Sequence, residues 1–111
     1  MEKLEEITKE IRERGATLSP HEMSEMRLIL AGEYSYAMEQ LTEILSRKPA
    51  VWNEIRKGVG SDKAAEREYE STKDGIKEME LRFRTKRIER LSSSLSSALR
   101  LAEWDFRNNT A

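Results

Sequence analysis

The chain has 111 residues, of which 37% are charged and 37% hydrophobic, with a net charge of −1. That length predicts one domain, 1–111, and the balanced charge leaves no overall field drawing the whole chain to nucleic acid or membrane. There is no cysteine, so disulfides, thiolate zinc sites and thiol nucleophiles are excluded.

Only two prolines and five glycines interrupt the chain, and its apolar residues are spaced rather than absent, which is a helical pattern and not a disordered one. No apolar run approaches the ~18 residues of a membrane span, and the opening "MEKLEEITKEIRERG" is too charged for a signal peptide. A soluble, cytoplasmic protein without membrane contact is therefore expected.

The first predicted helix covers 2–14, with Leu4, Ile7 and Ile11 at i, i+3, i+7 and Gly15 as a left-handed cap. "LSPHEM" is a strong helix start: Ser19 as N-cap, Pro20 at the first helical position, Glu22 completing a capping box, and Leu18 and Met23 spaced as a hydrophobic staple. The second helix is expected over 20–48, ending at Pro49, with Leu30, Tyr34, Ala37, Leu41 and Ile44 as its seam. A short connector helix over 50–57 carries Val51, Trp52 and Ile55. "GVGSD" is a loop in which Ser61 or Asp62 caps the next helix.

From 62 to 107 there is no proline and one glycine, Gly75, which costs about 1 kcal/mol against alanine in a helix interior. Unbroken, this final helix spans ~69 Å; the alternative is a kink near Gly75. Ala65, Tyr69, Thr72, Ile76, Met79 and Phe83 share one face. Leu81, Ile88, Leu91, Leu95, Leu99, Ala102 and Phe106 share another, about a third of a turn away. The serine-rich "RLSSSLSSALRLAEW" keeps helical register through Leu91, Leu95 and Leu99, so it is helix and not linker.

The predicted fold is all-α: an elongated helical hairpin or bundle with a very long C-terminal helix and coiled-coil-like packing, the second and last helices antiparallel. The final helix outruns the second, which predicts a homodimer or higher assembly through its carboxy-terminal half. Candidate helix–helix interface residues there are Leu91, Ser94, Leu95, Ser97, Ala98, Leu99, Leu101, Ala102 and Trp104, with Ser94 and Ser97 as a low strip for close approach.

Arg82, Arg84, Lys86, Arg87 and Arg90 form a basic cluster that could hold phosphates of a nucleic acid. The competing and favoured reading is a solvated, salt-bridged face, with Glu78–Arg82 and Glu80–Arg84 as i, i+4 pairs. His21 is the only histidine, with no Ser–His–acid or metal-ligand spacing around it. Glu66, Glu70 and Asp74 lack a Glu-x-x-His motif. Neither an enzyme nor any cofactor or metal is expected.

The segment "SDKAAEREYESTKDGIKEMELRFRTKRIERLSSSLSSALRLAE" resembles, in style, the small all-helical proteins of bacteriophage early regions, over roughly Ala50 to Arg107. The resemblance implies a phage origin and a style of action, inhibition of host machinery or defence in the manner of anti-CRISPR proteins; it transfers no catalytic or binding residue. The expected function is a non-enzymatic module that binds a protein partner. The alternative is a nucleic-acid-binding accessory protein of phage replication or recombination.

Overall fold

A computed structural model describes residues 2–110. The described residues form four helices and no strand: α1 (Glu2–Arg14), α2 (Pro20–Lys57), α3 (Asp62–Glu70) and α4 (Lys73–Thr110), with a single 3-10 turn, Gly15–Thr17, after α1. The class is all-α with a long C-terminal helix, as the spacing predicts. Two helix boundaries differ from those the sequence predicts, and each difference has a local cause.

The first concerns Pro49, which lies inside α2 and does not end it, so the separate segments 20–48 and 50–57 are one helix. An interior proline removes one hydrogen bond and crowds the carbonyl four residues back. Here that carbonyl belongs to Leu45, and both residues are exposed. The turns beyond are tethered to α3: Trp52 Nε1 donates to Glu66 (3.1 Å) and Arg56 Nε donates to Asp62 (2.8 Å). These contacts hold the turns beyond Pro49 against α3 as a continuation of the same helix.

The second is a break where one helix was expected from 62 to 107. α3 ends at Glu70 with Ser71 as its C-cap. Thr72 opens α4: its Oγ1 accepts from the Gly75 amide (3.0 Å) and donates to the Tyr69 carbonyl (2.6 Å). Gly75 is buried in the first turn of α4, where a Cβ would fall on the Tyr69 carbonyl oxygen and 2.9 Å from Glu70 Cα. Glycine therefore permits the close approach of the end of α3 to the start of α4. Gly15 does not act as a left-handed cap, because no described residue has a positive φ and the chain continues into the 3-10 turn instead.

The chain divides into two compact units, Met1–Ser35 with Lys86–Ala111, and Tyr36–Thr85. In the first, Leu4 and Ile7 of α1, Met23 and Leu30 of α2, and Ile88, Leu95 and Leu99 of α4 form one apolar cluster with Leu18. The entry to α2 is built as its sequence predicts. The Ser19 amide donates to Glu22 Oε1 and the Glu22 amide to Ser19 Oγ, both at 3.1 Å, and the staple residues Leu18 and Met23 are buried. Arg14 closes the turn on Glu22 at 2.7 Å, and this bond, with those from Ser19, holds the Glu22 carboxyl down at about 2.

In the second unit the core is Ala37, Leu41 and Ile44 of α2 against Leu81 of α4, with Ala65 and Tyr69 of α3 also fully buried. Ser61 caps α3 by accepting from the Ala64 amide (3.1 Å). Within this unit α2 and α4 run antiparallel: Leu41 and Ile44 meet Leu81, and further along α2, Arg47 meets Asp74.

Candidate functional site

A largely buried polar cluster lies in the Tyr36–Thr85 unit. Glu78 accepts hydrogen bonds from the Tyr69 hydroxyl (3.0 Å) and Arg82 Nε (3.0 Å), and Lys48 Nζ stands 3.3 Å away. The Lys48 ammonium also sits 4.7 Å from the Tyr69 ring centroid, a cation–π contact. Burial pushes the Glu78 carboxyl up, but the three donors together outweigh it and leave it below the ordinary carboxylate range. The Tyr69 hydroxyl is pushed up to about 12, first by burial and then by donating to Glu78. A carboxylate kept ionised by three donors, with a phenol kept neutral, is a clamp joining α2, α3 and α4. Of this cluster only the Glu78–Arg82 pair was legible as an i, i+4 spacing; Lys48 and Tyr69 come from other helices.

The acidic residues do not converge. Glu66 accepts from Trp52, and Asp74 is held by two bonds from Arg47 (2.7 and 3.0 Å). Among the described residues no group of three or more His, Asp or Glu could hold a metal ion. His21 lies exposed on the surface, 3.0 Å from Glu25.

The basic cluster is divided in its engagements. Arg82 is tied to Glu78, and Arg87 donates to Thr8 Oγ1 of α1 (2.9 Å). Arg84 is half-buried. Lys86 and Arg90 are exposed, and neither has an ion pair among the described residues. The expected Glu80–Arg84 pair is not formed; Glu80 lies 3.9 Å from Lys77 instead. Of the five cations, Lys86 and Arg90 thus stand exposed, one turn apart on α4, and Arg84 is half-buried with no ion pair among the described residues.

The carboxy-terminal candidates separate by face. Leu95 and Leu99 are buried and Leu91 packs on the same cluster, so these leucines join helices within the chain and are covered there. Ala102 is half-buried. Ser94, Ser97, Ala98, Leu101 and Trp104 are exposed; Ser97, Leu101 and Trp104 lie on the far side from those leucines, and Ser94 and Ala98 on the flank between. Leu101 and Trp104 are each 62% exposed. A shallow open groove of about 610 Å³ runs between α2 and α4, floored by Leu30 and Ile88 and edged by Ser92, Ser93, Ser96 and Ser97. Four of the five serines thus edge a groove within the chain, and Ser94 alone stands outside it.

The overhang expected of the last helix is absent. Because α2 continues through Pro49, α2 and α4 have 38 residues each, and Pro20 lines one concavity with Ala102, Glu103 and Phe106.

Sequence reasoning also missed an exposed apolar strip. Ile76, Met79 and Phe83, placed in one stripe with Ala65 and Tyr69, are 45, 54 and 67% exposed, whereas Ala65 and Tyr69 are fully buried. A single stripe requires an unbroken helix, and the break at Ser71–Thr72 removes the common register. The capping signal in "ESTKDG", a hydroxyl residue followed by an acidic first turn, is the feature that marks the break. No helix among the described residues is long and apolar enough to cross a membrane. Compared with known proteins, the chain matches no family model, no curated protein and no solved structure.

Proposed function

We propose that the chain is a non-enzymatic binding module that acts by occupying a surface of another protein. One observation carries this: the apolar side chains that α4 shows to solvent. Leu101 and Trp104 stand on the helix face opposite Leu95 and Leu99, which already fill the core. An exposed tryptophan is a residue type enriched among interface anchors, and the small residues Ser94, Ser97 and Ala98 before it leave the helix backbone open to close approach. An inhibitor of host machinery, the style of action implied by the likeness to small phage proteins, is one form of such a module.

The test is affinity capture from a cell lysate with the full chain and with Leu101→Ser and Trp104→Ser variants. Loss of the same captured protein in both variants, at unchanged helicity, supports the proposal; an identical captured set from all three refutes it. A second copy meeting through the same strip would raise the mass above 12.9 kDa in light scattering, and bulky replacements of Ser94 and Ser97 would lower it again.

The open charges of Lys86 and Arg90 favour a second reading, nucleic-acid binding. It requires an affinity for DNA or RNA that falls steeply with salt and is lost when both are replaced by glutamate. No binding at low salt removes it.

A further inference from the structure

We propose that the solvent face of α4 in the Tyr36–Thr85 unit is a docking strip for an acidic amphipathic helix of a partner protein. This rests on the binding-module reading and adds to it a second surface and a partner chemistry. Ile76, Met79 and Phe83 recur at i, i+3, i+7 on the side of α4 directly opposite Leu81, and each is about half exposed or more. That is the spacing of one helix seam, about 10 Å long. An open concavity of about 650 Å³ lies against it, lined by Ile76 with Arg47, Lys73, Asp74, Lys77 and Glu80.

The charge around the strip selects the occupant. At 100° per residue, Lys73, Lys77 and Arg84 flank it on one side and Arg82 on the other. The acidic groups nearby are already engaged, Asp74 by Arg47, Glu80 by Lys77 and Glu78 by Arg82, which also compensates Lys77 and Arg82 and leaves Lys73 and Arg84 as the uncompensated cations of the rim. Lys73 and Arg84 have no ion pair among the described residues. An apolar seam inside a cationic rim is complementary to a helix with apolar a and d positions and carboxylates beside them. A second copy seated on the same strip would bring the two rims of like charge together, so the partner is a different chain. An interfacial membrane helix buries a broad apolar face, whereas this strip is a single row of three side chains.

The probe is a labelled three-heptad peptide with leucine at a and d and glutamate at e and g, titrated into the full chain and followed by fluorescence anisotropy. A scrambled peptide of the same composition, phosphatidylserine–phosphatidylcholine vesicles and a DNA duplex are titrated in parallel. The amphipathic peptide should bind at least about tenfold more tightly than its scramble, and more weakly as salt is raised. Met79→Glu and Phe83→Glu should abolish this preference, and the Lys73→Glu/Arg84→Glu pair should reduce it, all with unchanged helicity because these side chains lie outside the core.

Equal binding of both peptides overturns the proposal, as does tighter binding to vesicles or duplex that depends on the same residues. If Trp104→Ser loses the captured lysate protein while Phe83→Glu retains it, and the peptide preference is absent, the binding module stands and this second surface falls.

Discussion

Replacing Gly75 with alanine should destabilise the protein, although the same change in a free helix stabilises it. Glycine in a helix interior is worse than alanine by about 1 kcal/mol, and on that ground alone Gly75→Ala is a gain. The structure reverses the sign. The new methyl would land on the Tyr69 carbonyl oxygen and 2.9 Å from both the Tyr69 carbonyl carbon and Glu70 Cα. These are backbone atoms, which cannot swing aside as a long side chain can. Relief requires the end of α3 to move off α4, straining the Thr72 bonds to Gly75 and Tyr69 and the Tyr69–Glu78 bond.

Overpacking costs about 1–3 kcal/mol and a lost cap about 1 kcal/mol. Against the ~1 kcal/mol gained in propensity, the net loss is about 2 kcal/mol. The internal control is Gly32→Ala in α2, where nothing lies within 4 Å of the added carbon and a gain of up to ~1 kcal/mol is expected. Urea unfolding followed by far-ultraviolet circular dichroism reads both variants on one scale. A Gly75→Ala midpoint equal to or above that of the parent chain would refute the close approach of α3 to α4.

Three further outcomes follow from the same contacts. Glu78→Ala strands the buried Tyr69 hydroxyl and leaves Lys48 and Arg82 without their acceptor; because both cations keep partial access to water, the loss should be ~2–3 kcal/mol, while Tyr69→Phe should cost only ~1 kcal/mol, and losses that simply add in the double variant would show that the two groups are not coupled. Glu22 titrates at about 2 in the folded chain against an ordinary 4.5, so its contribution is present above pH 4.5 and is lost as pH falls from 4.5 to 2; carbon-detected NMR of the side chain reads the midpoint directly, and one near 4.5 would contradict the Arg14–Glu22 contact. Pro49→Ala restores the amide that the Leu45 carbonyl lacks within a continuous α2, so stability should rise by ~1–3 kcal/mol; a fall in stability would mean that proline starts a separate helix there.

What could be read from the residues was what is decided within a turn or two of helix. Ser19, Pro20 and Glu22 announce the start of α2 because the capping bonds span three residues, and Leu95 and Leu99 kept their face because nothing interrupts α4 around them. Pro49 misleads because the local rule for proline is opposed by Trp52 and Arg56 reaching Glu66 and Asp62 on another helix. The break at Ser71–Thr72 was legible only as the alternative of a kink near Gly75, because its caps are hydroxyl residues and no proline marks it. A single unbroken helix places Ile76, Met79 and Phe83 on one face with Ala65 and Tyr69, a register that the break does not carry across. The candidate surface on these residues was thus not legible without the break. Similarly, of the five cations between Arg82 and Arg90, the engagement of Arg87 by Thr8 depends on α1 lying against α4, which no periodicity encodes.

The division of the chain also sets the order in which it can fold. Tyr36–Thr85 is one continuous stretch, whereas the other unit is assembled from the two ends of the sequence. Joining those ends across about 50 unstructured residues carries a closure entropy that grows with the logarithm of the loop, ~3–4 kcal/mol at that length. Once the intervening stretch is folded, most of that entropy has already been lost and the ends meet without it. On a ribosome the middle unit can be complete while α1 waits, and Leu4 and Ile7 find Leu95 and Leu99 only after the last turns of α4 have emerged. The packing of α1 against the second half of α4 is therefore the last part of the structure to become native.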